Sequence, residues 1–217
     1  MSTRPLSEEL TPQALLERAY SLDSDDEAKA LYRDWAQSYD KTMLEGLGYC
    51  TPAKTAALLA QYAEGRTEPV LDVGSGTGLA GVELAAHGFT TLDALDYSPE
   101  MLAVAGSRGV YRTTIIADLN QPLDLPDEAY SVMICTGTFT HAHVGAGCLP
   151  ELFRILKPGG MFACTVHRDV WEAAGFSAEA ERLAKAGILE TLSREMGAYY
   201  TASSDAEGWY IVWHKRK

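Results

Sequence analysis

Val70-Leu71-Asp72-Val73-Gly74-Ser75-Gly76-Thr77-Gly78 is the stretch that decides the fold. A short apolar run leads into glycines at every second position, and residues 79–87 then read as a helix. An unbroken apolar run suits a strand covered on both faces. Glycines permit a tight turn and let backbone approach a ligand with no Cβ in the way. The helix N-terminus behind them offers unpaired N–H groups.

The same alternation continues outward from that turn. Residues 91–95 are a second strand, and Ser98-Pro99 starts a helix carrying Met101, Leu102 and Ala105. Strands follow at 113–117 and 131–136, then a helix at 149–156 stopped by Lys157-Pro158-Gly159-Gly160, then a strand at 161–166 and a helix at 177–186. Two further strand candidates, in 188–200 and at 209–214, flank a short polar loop and imply a hairpin. The expected fold is therefore α/β and doubly wound: seven strands, mostly parallel, with an antiparallel edge strand.

Working the other way, the first 65 residues read as helices. Thr11-Pro12 and Thr51-Pro52 are helix starts, and Ser24-Asp25-Asp26-Glu27 is a capping box. Leu31, Trp35 and Tyr39 recur at helical spacing, which makes an apolar stripe suited to a lid. Residues 1–65 are expected to form a helical extension, and 66–217 the α/β domain.

Composition narrows the partners. The chain of 217 residues is 47% hydrophobic, enough for one well-cored domain. Its net charge of −12 lacks the basic face that phosphate neutralisation requires, so nucleic acid is not an expected partner. No stretch approaches the roughly 18 apolar residues of a membrane span, and the N-terminal MSTRPLSEELTP is not a signal peptide. A cytoplasmic monomer or homodimer is expected. Cys50, Cys135, Cys148 and Cys164 form no Cys-x-x-Cys pair, so no metal site is expected and the thiols read as buried and reduced.

Two ligands compete for the glycine turn. Gly76-Thr77-Gly78-Leu79-Ala80-Gly81 matches G-x-G-x-x-G, the weak signature of an NAD(P)-dependent oxidoreductase. Three features oppose a dinucleotide. Asp72 would repel a pyrophosphate, the triplet begins after Gly74 rather than at the strand end, and the chain holds no Tyr-x-x-x-Lys pair. S-adenosylmethionine suits the residues better, because its amino group and sulfonium are cationic. Asp96 closes the second strand 20 residues beyond Gly76, where an acid can accept from both ribose hydroxyls. Asp118 follows the third strand, where a carboxylate can accept from the adenine amino group beside the Leu119 backbone. All these positions fall at C-terminal strand ends, which share one crevice in an open sheet.

VLDVGSGTGLAGVELAAHGF (70–89), ALDYSPEML (94–102), ADLNQPLDLPDEAYSVMICTGTF (117–139) and LKPGGMF (156–162) together resemble the motif series of class I S-adenosylmethionine-dependent methyltransferases, a Rossmann-like fold. LYRDWAQSYDKTM, GVYRT, LPELFRILKPGG and ERLAKAG narrow the resemblance to the Williams–Beuren syndrome chromosome-region methyltransferase-like family. The resemblance implies that Gly74, Ser75 and Gly76 wrap the methionine part of the cofactor. It implies that Asp96 holds the ribose, that Tyr97 and Met101 flank the adenine, and that Asp118 and Leu119 hold its edge. Thr136 would lie near the methyl group, and Tyr39 would fold over the cofactor, although its stripe suits core packing equally well. The fourth strand is not followed by Asn-Pro-Pro-Tyr, the sign of planar amide or base methylation.

Transfer by in-line displacement needs chiefly positioning, worth up to roughly 7–11 kcal/mol. A base matters only for a protonated acceptor. His141 and His143, after the fourth strand, are the candidate bases, with His167 behind them. The expected acceptor is a small molecule in a closed, mostly apolar site. The alternative is a non-catalytic protein that binds S-adenosylmethionine.

Overall fold

The computed structural model describes residues 11–20, 31, 35–36, 38–141, 144–202 and 206–216. The capping box at 24–27 and His143 lie outside the described residues.

Seven strands form one sheet in the order β3-β2-β1-β4-β5-β7-β6. They are β1 (Val70–Val73), β2 (Leu92–Asp96), β3 (Tyr111–Ile116), β4 (Tyr130–Phe139), β5 (Leu156–His167), β6 (Leu189–Ala198) and β7 (Glu207–Lys215). β1 through β5 pair in parallel. The hairpin expected at the end of the chain supplies the antiparallel element: β7 runs against both β5 and β6, and is inserted between them.

The helices follow from local chemistry. They are α1 (Pro12–Tyr20), α2 (Thr51–Tyr62), α3 (Leu79–Ala86), α4 (Pro99–Ser107), α5 (Leu149–Ile155), α6 (Arg168–Ala173) and α7 (Phe176–Lys185), with a π-helical segment at Lys41–Gly46. The Thr11 hydroxyl accepts from the Ala14 N–H at 3.2 Å, and the Ser98 hydroxyl from the Met101 N–H at 3.2 Å. Both caps satisfy N–H groups that the helix itself leaves unpaired.

Strand alternation sorts the core into two layers. On β1 and β4, Leu71, Val73, Met133 and Cys135 pack toward Phe153, Phe162 and Trp213. Val70, Val132 and Ile134 pack the other way, with Ala56 and Leu59 of α2 and Leu84 of α3. Each fully buried Val, Leu, Ile, Met or Phe among them contributes about 1.5–3 kcal/mol. A third cluster joins Leu15, Leu31, Trp35, Met43 and Tyr49 to Tyr199, Tyr200 and Tyr210, which fixes the N-terminal segment against the C-terminal hairpin.

Three elements depart from expectation. β4 continues to Phe139, so Gly137 and Thr138 belong to a strand end rather than a loop. β5 begins at Leu156: Tyr130 pairs with Leu156 and Val132 with Met161, so Lys157–Gly160 bulge out between two paired segments. The helix α6 had no sequence signal, because six residues are too few to show a 3.6-residue period.

The chain winds outward from β1 to β2 and β3, then returns to place β4 on the other side of β1. That reversal opens a crevice beyond the C-terminal ends of β1 and β4, which is where ligands bind in open α/β sheets.

Candidate active site

A cleft of about 1010 Å³, its open mouth included, occupies that crevice. Gly74, Ser75 and Gly76 form its floor, with Asp96, Tyr97 and Met101 on one wall and Asp118 and Leu119 beyond them. Thr136 and Tyr39, also expected there, line it as well. Ten of the positions singled out from sequence therefore meet in one cleft.

The loop 74–78 is held open by its glycines. Gly74 has φ +64°, and a Cβ there would stand 2.2 Å from Thr138 Oγ1, so only glycine fits between β1 and the end of β4. Gly76 has φ +53° and nothing within 4 Å of a notional Cβ, which would project into open space. The loop is pinned by three bonds: Ser75 N–H donates to Leu95 O at 2.9 Å, Gly76 N–H to Asp96 Oδ2 at 2.8 Å, and Thr138 Oγ1 to Gly74 O at 3.3 Å.

Asp96 also accepts from the Ser98 N–H through Oδ1, at 2.9 Å. Each carboxylate oxygen therefore keeps further acceptor capacity in a rigid frame. Burial raises its pKa, and the backbone N–H groups of Ser98 and Gly76 oppose that rise. Donors arriving from a ligand would restore the charged form. Asp118 accepts from the Asn120 N–H at 2.9 Å through Oδ1.

Asp72 sits elsewhere. It shares the face of β1 that Val70 occupies, turned under α3 rather than toward the cleft. Its Oδ2 accepts from the Tyr111 hydroxyl at 2.5 Å, while Oδ1 is buried with no hydrogen-bond partner. Burial lifts its pKa from 3.8 to about 7; the Tyr111 bond and the Gly81 backbone N–H oppose the rise and the Asp96 charge reinforces it. The geometry thus does not bring Asp72 to the cleft wall, because strand parity aims its side chain the other way.

The N-terminal segment closes over the loop through Asp40. Thr77 Oγ1 donates to Asp40 Oδ1 at 2.6 Å, and Arg108 pairs with Asp40 Oδ2 while its Nε donates to Thr77 O. A carboxylate thus stands beside Thr77, just before the α3 N-terminus. Arg108 compensates the charge of Asp40, so Asp96 is the carboxylate that disfavours a pyrophosphate at the glycine loop. Tyr39 stacks edge-on against Trp35, with centroids 4.8 Å apart, and forms part of the roof. Tyr49, absent from the sequence-based candidates, also lines the cleft and packs on Tyr200 at 5.5 Å. A Cβ on Gly137 would meet Tyr49 Oη at 2.4 Å, so that glycine admits the roof.

His141 does not line the cleft. It lies edge-on to His167, with ring centroids 4.7 Å apart, and its Nε2 is 3.6 Å from Asp169 Oδ2. His167 is buried, which lowers its pKa, as does nearby His141. Tyr199 and Tyr200 are both buried in the core between hairpin and lid.

The donor set fits S-adenosylmethionine. The Ser75 hydroxyl is buried on the cleft floor with no hydrogen-bond partner, and the space above Gly76 is the cradle a Cβ would fill.

Comparison with known proteins agrees. The family described as methyltransferase domain matches residues 71–164. Human methyltransferase-like protein 27 is 32% identical over 167 residues, covering 74% of this chain and 67% of its own. The demethylmenaquinone methyltransferase of Tropheryma whipplei is 28% identical over 191 residues, 86% of this chain and 78% of its own. Among solved structures, an S-adenosyl-L-methionine-dependent methyltransferase from Methanococcus maripaludis superposes with a TM-score of 0.62. It is 17% identical and covers 87% of this chain and 94% of its own, a likeness of fold.

Proposed function

The chain belongs to the class I S-adenosylmethionine-dependent methyltransferases, and from that premise we propose that it methylates a small, largely apolar acceptor within the cleft beneath Tyr39 and Tyr49. The observation that carries this reading is the joining of Gly74–Gly76, Asp96 and Asp118 with two tyrosines of the lid in one cleft.

S-adenosylmethionine, when bound, supplies an electrophilic methyl group on a sulfonium leaving group. In this proposal the Asp96 carboxylate accepts from the ribose hydroxyls, Tyr97 and Met101 flank the adenine, and Asp118 accepts from its amino group with Leu119 beside it. Gly74, Ser75 and Gly76 pass backbone close to the methionine part, and Thr136 lies near the reacting carbon. The Asp40 clamp orders the roof over the loop, and Tyr39 and Tyr49 exclude water and align the acceptor. His141 is not among the cleft's lining residues, so the chemistry is assigned to positioning rather than to a base. The likeness to demethylmenaquinone methyltransferase supports an apolar acceptor, and the net charge of −12 an acceptor other than nucleic acid.

The reading is tested by incubating the protein with methyl-labelled S-adenosylmethionine and a cell extract divided by size, beside Asp96→Ala. Label should pass to molecules of low mass, and only with the wild type. Label confined to the protein or RNA fraction would overturn the small-molecule acceptor.

A further inference from the structure

At the C-terminal ends of β4 and β5, one oxygen faces two imidazoles. Asp169 Oδ2 is 3.6 Å from His141 Nε2 and 3.7 Å from His167 Nδ1. Both distances exceed a direct hydrogen bond. They lie close to the separation of two ligands on one tetrahedral ion, roughly 3.3–3.5 Å for metal–ligand bonds of about 2.0–2.2 Å. One donor atom from each of the three residues lies within 4.8 Å of the others.

The frame is rigid. His141 follows the end of β4, His167 ends the adjacent parallel strand β5, and Asp169 lies in the first turn of α6. The other carboxylate oxygen is engaged elsewhere, since Arg168 Nε reaches Asp169 Oδ1 at 3.4 Å and a second Arg168 nitrogen pairs with Glu207. Oδ2 is therefore directed at the imidazoles by its own side chain's other contacts. His167 Nδ1 accepts from the Asp169 N–H at 3.3 Å, a long bond capping α6 that an ion at the shared position would displace. Asp169 is 54% and His141 33% exposed, which gives an ion a path in.

We propose that His141, His167 and Asp169 form a binding site for a divalent transition-metal ion of the zinc type, with one coordination position left open. Two imidazoles and a carboxylate are the donor set of open zinc and related sites. The ion would tie the end of β4, whose Thr136–Thr138 line the cleft, to the β5–α6 junction. The site stands independently of the methyltransferase reading.

Calorimetric titration of chelator-stripped, untagged protein with zinc chloride tests it, with cobalt(II) absorption as a second probe. Saturable binding of one ion per chain is expected. His141→Ala and Asp169→Asn should each weaken it by at least about 10-fold, the lower end of what even outer-shell partners cost. His87→Ala, on the exposed end of α3, should bind as wild type. No saturable binding at millimolar metal, or unchanged binding in both site variants, overturns the proposal. Should a variant fail to fold, X-ray absorption of the zinc-loaded wild type decides: two imidazoles in the ion's shell support the site, while thiolate ligands or a single imidazole overturn it.

Discussion

Asp72→Asn should change how stability depends on pH. The wild-type carboxyl is buried, and its pKa rises from 3.8 to about 7 on folding. A folded pKa above the unfolded one means that the native state holds the proton more tightly. The stabilisation is fully present below the unfolded pKa and is lost as pH climbs through 7. A shift of roughly three units at about 1.36 kcal/mol each sets the limiting loss near 4 kcal/mol. Between about pH 5 and pH 8.5, part of that span, the wild type should lose about 2–3 kcal/mol through this group. Asparagine cannot ionise, so the variant lacks this dependence. It carries a constant penalty instead, since its amide nitrogen would enter the place of Oδ1, where no partner stands. An unpaired buried donor costs about 1–3 kcal/mol. Urea unfolding at both pH values should therefore show the variant gaining on the wild type by about 2–3 kcal/mol toward alkaline pH. Parallel stability curves would refute the buried, turned-away placement of Asp72.

Three glycines separate strain from site. Gly76→Ala and Gly88→Ala both force a side chain to positive φ, with nothing within 4 Å of the new Cβ, and each should cost about 1–2 kcal/mol in thermal unfolding. Binding of S-adenosylhomocysteine should fall in the first, whose methyl enters the cleft, and hold in the second, whose glycine lies outside it. Gly74→Ala adds a clash with Thr138 to the same strain, so unfolding measurements should rank it the least stable of the three. Asp40→Ala removes the acceptor of Thr77 and the partner of Arg108, and should make the segment around Tyr39 exchange its amide hydrogens faster at unchanged global stability.

Much of this was legible in the sequence, for identifiable reasons. The run from Val70 to Gly78 carries its own signal, because apolar burial and positive-φ glycines are both local. Asp96 and Asp118 are legible as cleft positions because each lies at a strand's C-terminal end, and strand ends converge in this fold class. Asp72 was read onto the wrong neighbour for a geometric reason: its distance from the turn is visible in sequence, but which face of β1 meets α3 is set by tertiary packing. Tyr49 and Thr138 were missed because one belongs to the lid and the other to a strand end that continues past the expected stop. The Asp40–Arg108 pair spans 68 residues, and nothing local marks it. Likewise His141 read as a candidate base at the crevice, where the fold instead turns it toward His167 and Asp169.

The central claim is that the cleft at the β1–β4 switch binds S-adenosylmethionine through Asp96. Calorimetry with S-adenosylhomocysteine, on wild type and on Asp96→Ala, tests it most directly. One site per chain is predicted, weakened at least about tenfold in the variant, since losing a charged acceptor of hydrogen bonds costs about 1.5–3 kcal/mol and 1.4 kcal/mol is tenfold. Equal affinity in a folded Asp96→Ala variant, or binding of NAD in place of S-adenosylhomocysteine, would contradict it.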